Sequence, residues 1–582
     1  MTATQLATEN RPRSPVDGEQ PKLASRRPWL PWLVFGLSLV LFAYGVTTIP
    51  SAVPSQFGLL AVASPTFGIS ILVAAVGFAI SVRQGNIRAA IVATLLMIVV
   101  VRLPRTVATD LPMYAWTYKH LGVVDYIQHA HGLARDVDIY NGWPGLFALT
   151  AWFSELTGVS ATSIAHWFTP LFHLGFAAIV YGAARAWRLE PLNAVTAVLL
   201  VEALNWVEQD YYSPQATTML LVAGIVTLVG LSRDRPIAVW VLVLLFTAAT
   251  VTHQLTPYWL LLMIGLLAVT AKFKPWWLVV PLAAIVGTWL LYNWHQASEF
   301  SLFSADVTQN IKPNIPTVGV LGQRITSAGV RALAGAMWLG TAVVLLLRWR
   351  RKKEPFWDLW PMAVLGLSPI LMVLVQSYGG EVIFRVYLYS LIGCAIVLAP
   401  VLVRLLQGEL RRYYVGLIGL LGATVVSVQG STGAWYANVM PKAQVDASKI
   451  VLSQAELPAY LTSVAPVWPE RSSWRYVDYA RFNKYFDGLM IQAAFLAGRH
   501  FNTDEDYRQF VAALNSRPDA STYLIMTEQM QVYAWYYGVL PWDALPNLKE
   551  YLKRDTDRWQ PFYDGQGITV FLHKVDTGKI GK

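Results

Sequence analysis

Four aspartates and three histidines crowd into one polar stretch of a chain that is otherwise strongly apolar. Residues 106–153 read TVATDLPMYAWTYKHLGVVDYIQHAHGLARDVDIYNGWPGLFALTAWF, with Asp110, Asp125, Asp136 and Asp138 alongside His120, His129 and His131. A carboxylate within hydrogen-bond reach of a hydroxyl can take its proton as a general base, and Asp125 and Asp110 are the candidates for that role. The plainer alternative is that either one caps a helix or pairs with Lys119 or Arg135. Asp136 and Asp138 flank a single valine, a spacing that can offer oxygen ligands to a divalent cation such as magnesium or manganese and that also occurs in solvated turns. His129 and His131 sit two apart, which suits a metal on a strand and not on a helix. Without a third ligand at a matching spacing they imply no zinc site.

These residues need a scaffold, and composition says what kind. Of 582 residues, 55% are hydrophobic and 14% are charged, against about 25% charged in an ordinary soluble protein; the mean hydropathy is +0.43. Lipid must solvate much of such a chain. The net charge of +10 and pI near 9.4 do not point to nucleic acid, because the basic residues gather in short loops between apolar stretches, as cytoplasmic loops of membrane proteins do. The single cysteine, Cys394, lies inside an apolar stretch, so no disulfide framework or CxxC metal site can be built within one chain. Residues 1–28 are polar, carry prolines and end beside Arg26 and Arg27, the pattern of a disordered cytoplasmic tail rather than a cleaved signal.

Apolar stretches able to cross roughly 30 Å of hydrocarbon as helices occupy 29–48, 59–82, 89–101, 163–184, 192–207, 217–231, 237–251, 258–270, 276–291, 330–347, 357–375, 386–403 and 414–428. The expectation is a mainly α, polytopic membrane protein of about thirteen spans. Arg26 and Arg27, Arg83 and Arg88, Arg185 and Arg188, Arg233 and Arg235, Lys272 and Lys274, the run Arg348 to Lys353, and Arg404, Arg411 and Arg412 fall in alternate loops. Cations in short loops mark the cytoplasm, which puts the amino terminus inside and everything after about Ser431 outside. The chain then divides into a tail at 1–28, a membrane module at 29–430 with a large external loop at 104–160, and an extracytoplasmic domain at 431–582. Within the loop, the apolar run 143–153 is too short to span and is predicted to lie along the membrane surface. In the last domain Thr503 followed by three acids predicts a capped helix, 521–526 and 568–573 predict strands, and an apolar periodicity runs through 485–496, so an α/β domain is expected.

At the external loop the chain resembles the GT-C superfamily of membrane glycosyltransferases, in which an aspartate or glutamate early in the first large loop is followed by a tyrosine and a proline-containing segment leading into a surface helix. Asp125 with Tyr126, then Ile139-Tyr140 and Trp143-Pro144-Gly145, follow that arrangement. With the many spans and the external C-terminal domain, the likeness covers most of the chain. Here the loop follows the third span rather than the first, and glycine stands where the family has a second proline, so Asp125 and Asp110 both stay open as the catalytic carboxylate. The resemblance implies an enzyme that moves a sugar, with inversion, from a polyprenyl-phosphate donor to a glycan, lipid or protein of the cell envelope. It implies no obligatory cofactor.

The other external loops place polar residues at membrane boundaries, where an ionisable group is costly unless it is paired or functional. Arg385, at the start of a span, has the fork of donors to grip a donor phosphate, or it pairs with Glu381 one helical turn away. Asp210, Tyr211, Tyr212 and Gln215 in EQDYYSPQ, where Glu208 opens the motif, join His253 and Gln254 in THQLTPY as expected substrate-binding residues, with Tyr140 and Trp143 from the loop. The tyrosines fit an aromatic belt as well as a sugar-stacking face. Trp535, Tyr536 and Tyr537 are either an acceptor-selecting surface or part of the last domain's core.

Two other classes share parts of this pattern. A transporter or flippase would set its charges at the bilayer midplane among broken helices and paired halves, whereas here they gather at one face. A polysaccharide polymerase or ligase would share the lipid-linked substrate and the large loop but use a pyrophosphate-linked glycan.

Overall fold

The computed structural model describes residues 27–49, 54–232, 234–299, 319–351, 353–374, 382–493, 496–514 and 520–574. Glu381 and nearly all of the amino-terminal tail lie outside the described residues.

Among the described residues, eight helices are long and apolar enough to cross a membrane: Pro65–Arg83, Ile87–Val107, Ala161–Ala186, Pro214–Leu231, Leu321–Arg351, Phe356–Leu374, Val382–Gln407 and Leu410–Asn438. Five shorter apolar helices, Leu30–Val46, Pro191–Leu204, Ile237–Thr252, Thr256–Val269 and Trp276–Tyr292, stand at the other predicted spans. The chain is a multi-pass membrane protein. Helices suit that solvent because each satisfies its own backbone polar groups, and local chemistry sets where they begin. Ser213 precedes a proline at the first helical position and accepts the N–H of Ala216 at 3.2 Å; Asn86 and Ser160 cap Ala89 and Ser163 at 3.1 Å each. A polar cap followed by proline or an apolar run satisfies an orphan donor and pre-sets the first turn.

Val382–Gln407 is the central helix, largely buried and packed against Pro191–Leu204, Phe356–Leu367, Leu321–Arg351 and Leu410–Thr432. Gly393 makes its closest crossing possible, since a Cβ there would stand 2.3 Å from the carbonyl carbon of Leu365. Small residues at helix crossings serve this purpose in membranes. Beside it, Cys394 is fully buried and donates to the Gly366 carbonyl at 3.4 Å.

The basic loops meet at one end of this bundle. Arg83 reaches the carbonyl of Gly408 at 3.3 Å, and Lys272 pairs with Asp358 at 3.1 Å. The loop helix Ala115–Ala130 and the C-terminal domain stand at the other end. That domain holds a four-stranded sheet of β1 (Ala459–Ser463), β2 (Ser521–Thr527), β3 (Gln560–Gly565) and β4 (Ile568–His573), in the order β1-β2-β4-β3. β1 runs parallel to β2, while β4 is antiparallel to both β2 and β3.

Three expectations about this region resolve differently. The strands at 521–526 and 568–573 form, and Asp504–Leu514 begins with Thr503 accepting the N–H of Asp506 at 3.2 Å. Among the described residues of 485–496 the apolar periodicity forms no α-helix. Asp487 is drawn to Arg471 at 2.6 Å and Leu489 bridges Ser463 beside the sheet, leaving one short 3-10 turn at Met490–Gln492. Tyr536 is buried, whereas Tyr537 and Tyr533 face a chamber described below.

The external loop and the last domain share one apolar core, in which Tyr118, Leu121, Val124 and Phe147 of the loop meet Val464, Trp468, Tyr476 and Phe486. Helix Gly145–Thr157 lies at its edge with two faces. Leu146, Phe147, Thr150 and Ala151 turn inward, while Leu149, Trp152, Phe153 and Leu156 are exposed, the pattern of an interfacial helix resting on lipid.

Candidate functional site

The polar residues of the external loop are largely spent on docking the C-terminal domain. Asp125 accepts the backbone N–H of Trp474 at 2.7 Å, and His129 stacks on the Trp474 ring with centroids 3.9 Å apart. Asp138 pairs with Arg471 at 3.1 Å and accepts the backbone N–H of Asn141, while Asp136 pairs with Arg481 at 3.0 Å. Lys119 reaches Glu470 at 2.6 Å. Asp110 is exposed. The expected metal pair is therefore split between two arginines, and among the described residues no group of three or more His, Cys, Asp or Glu is placed to hold a metal ion. The expected bases, Asp125 and Asp110, do not line the chamber.

That chamber, about 520 Å³ in volume, opens between the domain and the helix ends. Tyr114, Trp116, His120 and Tyr140 come from the loop, Glu208 and Tyr211 from the turn before Pro214–Leu231, and Gln215 from that helix's first turn. His253 and Gln254 follow Ile237–Thr252, Arg385 sits in the first turn of the central helix, and Asn438, Tyr533 and Tyr537 close the far side. Of the expected residues, Tyr140, Tyr211, Gln215, His253, Gln254 and Arg385 are thus brought together. Trp143 packs instead with Ile139, Leu255 and Ala297, and Tyr212 is fully buried with its hydroxyl donating to Thr150 at 2.7 Å.

Asp210 lies beneath the floor. It accepts from Arg102 at 3.1 Å, Arg105 at 2.5 Å and His173 Nε2 at 2.9 Å, and His173 Nδ1 is 2.6 Å from Glu202. A carboxylate thus stands at each ring nitrogen of His173, which fixes the ring between Asp210 and Glu202. Burial pushes the Asp210 carboxyl up, but Arg105, His173 and Arg102 hold it well below the usual carboxylate range. It is buried and does not line the chamber, and its ion pairs anchor the turn that carries Glu208.

Glu208 is the one carboxylate among the described lining residues. It accepts from the Tyr114 hydroxyl at 3.0 Å and Asn438 Nδ2 at 3.3 Å, with Arg105 at 3.7 Å. Burial pushes its carboxyl up to about 7, against the opposing pull of Arg105 and the Tyr114 bond. Its side chain keeps 21% exposure, so a bound hydroxyl can reach it. A carboxylate that titrates near neutrality and faces a cavity is suited to proton abstraction.

Both chamber histidines are neutral. Burial pushes His120 down to about 4, and its Nδ1 lies 2.9 Å from the Tyr212 carbonyl, to which it donates. Burial and then the charge of Arg385 push His253 well below its ordinary value. His253 Nδ1 accepts the N–H groups of Leu255 and Thr256 at 3.3 Å each, which places the proton on Nε2 as a donor.

Sequence reasoning put Glu208 among the polar boundary residues but not among the site residues. Its separation from Asp210 by one residue gave no sign of which would be paired and which would face a cavity. Tyr114, His120 and Asn438 are also additions, and Tyr537, offered above as a possible acceptor-selecting residue, lines the chamber; only the fold brings Asn438 and Tyr537 beside residues 114–140.

Fold and chamber together define a multi-pass helical membrane protein with a polar, carboxylate-bearing chamber at the end of its bundle opposite the basic loops. No protein-family model matches the chain, and no curated protein sequence matches it. Among solved structures it is similar to ArnT from Cupriavidus metallidurans bound to undecaprenyl phosphate, with 12% identity, a TM-score of 0.42, and coverage of 84% of this chain and 97% of that one. The apo form of the same ArnT gives a TM-score of 0.37 at the same identity and coverage. At that level the likeness says nothing of chemistry, which rests on the chamber itself.

Proposed function

We propose that this protein is an extracytoplasmic glycosyltransferase that moves a sugar from a polyprenyl-phosphate donor to a hydroxyl-bearing acceptor of the cell envelope, with Glu208 as general base. One observation carries this reading: a carboxylate titrating near 7 shares a chamber with the buried guanidinium of Arg385 at the bundle's end. A lipid-borne phosphate approaching from the bilayer meets Arg385 in the first turn of a membrane helix, where a planar fork of donors suits phosphate oxygens. The Nε2–H of His253 adds a neutral donor beside it. Attack by the acceptor hydroxyl on the anomeric carbon forms the new glycosidic bond as the bond to phosphate oxygen breaks. Glu208 takes the hydroxyl proton, the phosphate leaves with the bond's electron pair against Arg385, and a single displacement inverts the anomeric centre.

The orientation follows from charge. The end where Arg83, Arg188, Arg348 and Arg404 gather is the cytoplasmic one, so the chamber, the interfacial helix and the C-terminal domain face outward. Aromatic walls from Tyr140, Tyr211 and Tyr537 suit the apolar faces of a sugar ring.

The test is transfer from a radiolabelled polyprenyl-phosphate sugar by the detergent-purified full chain, with a membrane extract as acceptor. Glu208→Gln is expected to slow transfer on the order of a hundredfold or more, while Asp125→Asn and Asp110→Asn retain it. The reverse pattern moves the base to the external loop, and uptake of solute into proteoliposomes without any transfer product replaces the enzyme with a transporter.

A further inference from the structure

At the bundle end opposite the chamber lies a second pocket of about 380 Å³ with an unusual lining: Arg348, Arg351, Arg404 and Arg412 around Val344, Leu347, Val401 and Leu405. It is built where three membrane helices meet. Arg348 and Arg351 close Leu321–Arg351, Arg404 lies in the last turn of Val382–Gln407, and Arg412 lies in the first turn of Leu410–Thr432.

Some cations at this end have protein partners, while others, such as Arg88, Arg235 and Arg411, make no side-chain hydrogen bond or ion pair among the described residues. Lys272 takes Asp358, Arg83 takes the carbonyls of Leu406 and Gly408, and Arg188 takes Asp234. What sets four arginines apart is that they converge on this one cavity. Arg348 takes Glu354 at 2.6 Å and Arg404 bonds only to the Pro400 carbonyl of its own helix, while among the described residues Arg351 and Arg412 make no hydrogen bond or ion pair. Four guanidiniums against one carboxylate leave three like charges around one cavity, with no acid in its lining. Loop placement on the cytoplasmic side explains cations near this surface. It does not explain their convergence on an apolar-walled pocket, where a bound anion would relieve their mutual repulsion.

We propose that this pocket binds the headgroup phosphate of an anionic phospholipid from the adjoining leaflet, with an acyl chain laid along Val344, Leu347, Val401 and Leu405. Basic pockets between membrane helices on the cytoplasmic side hold such headgroups, and guanidiniums grip phosphate through paired donors. The apolar walls select a lipid over a soluble anion, because Leu347 is 40% exposed where only hydrocarbon can cover it. The site is remote from the chamber and does not depend on what the chamber does.

The experiment is native mass spectrometry of the detergent-purified full chain titrated with phosphatidylglycerol, and with phosphatidylethanolamine of the same acyl chains. The expected result is a tight phosphatidylglycerol adduct that phosphatidylethanolamine does not match. In the variant R351Q/R404Q/R412Q it should weaken on the order of a hundredfold, from the usual contribution of each surface cation. Leu405→Trp, which fills the apolar floor and keeps every arginine, must also weaken it and serves if the triple variant does not fold. Equal binding of the two lipids, undiminished phosphatidylglycerol binding in the variants that fold, or displacement by an equal concentration of glycerol 3-phosphate would overturn the proposal.

Discussion

Arg105 Nη2 stands 3.7 Å from Glu208 Oε1, near enough for attraction and too far for a hydrogen bond, because the same guanidinium is drawn to Asp210 at 2.5 Å. The two carboxylates are separated by one residue in sequence. Asp210 takes the close contact and is fixed as an anion, which leaves Glu208 under-compensated and poised near neutrality.

That division predicts a pH profile. Glu208 is raised to about 7, and a base acts only when deprotonated, so kcat/KM should rise with pH through about 7 and level off above it. In Glu208→Gln the residual rate should lose this rise. Rates measured across neutral pH with saturating donor check both.

Removing Asp210 should act on stability rather than on chemistry alone. Asp210→Asn leaves Arg102, Arg105 and His173 buried without their shared counter-charge, a loss of about 3–5 kcal/mol. Thermal unfolding in detergent should show a markedly lowered midpoint, with any folded fraction still binding donor.

Arg385→Lys keeps the charge and loses the planar fork. Donor KM is expected to rise roughly tenfold or more with a smaller change in kcat, since a point charge cannot reproduce paired donors. Steady-state kinetics at varied donor concentration separate the two constants.

Gly122 lies where the loop helix touches the last domain, and a Cβ there would stand 1.9 Å from the Arg471 carbonyl oxygen. That oxygen is backbone and has little room to retreat. Gly122→Ala should therefore part the helix from the domain at a cost of about 1–3 kcal/mol, seen as faster proteolysis of the last domain. Asp125→Asn, which only weakens the bond to Trp474, should show the milder form of the same defect.

With Asp136 and Asp138 each committed to a separate arginine, transfer should survive excess EDTA. Loss of activity in the chelator, restored by magnesium or manganese, would place a cation in the mechanism through ligands other than this pair.

Much of the scaffold was legible because membrane signals are strong and local. Apolar length marked the spans, loop cations marked one end, and the run from Trp143 announced a surface helix whose exposed Trp152 and Leu156 suit that position. Arg385, His253, Gln254 and Gln215 were readable because an ionisable or amide group at a span boundary is rare without a use. What stayed illegible needed tertiary information. Asp125 has the right side chain in the right loop, but its oxygen is taken by the Trp474 backbone, 349 residues away in sequence. Glu208 owes its raised carboxyl to burial, which no local pattern encodes. β1 is a five-residue, wholly buried run behind Pro458, too short for periodicity to tell strand from helix.

The apolar core that unites Tyr118 and Phe147 with Trp468 and Tyr476 means that residue 431 is not a place where the chain can be cut. A secreted fragment starting there would bare the greasy side it normally presses against the loop and should clump, while the stump left in the bilayer would lose the lid over Glu208.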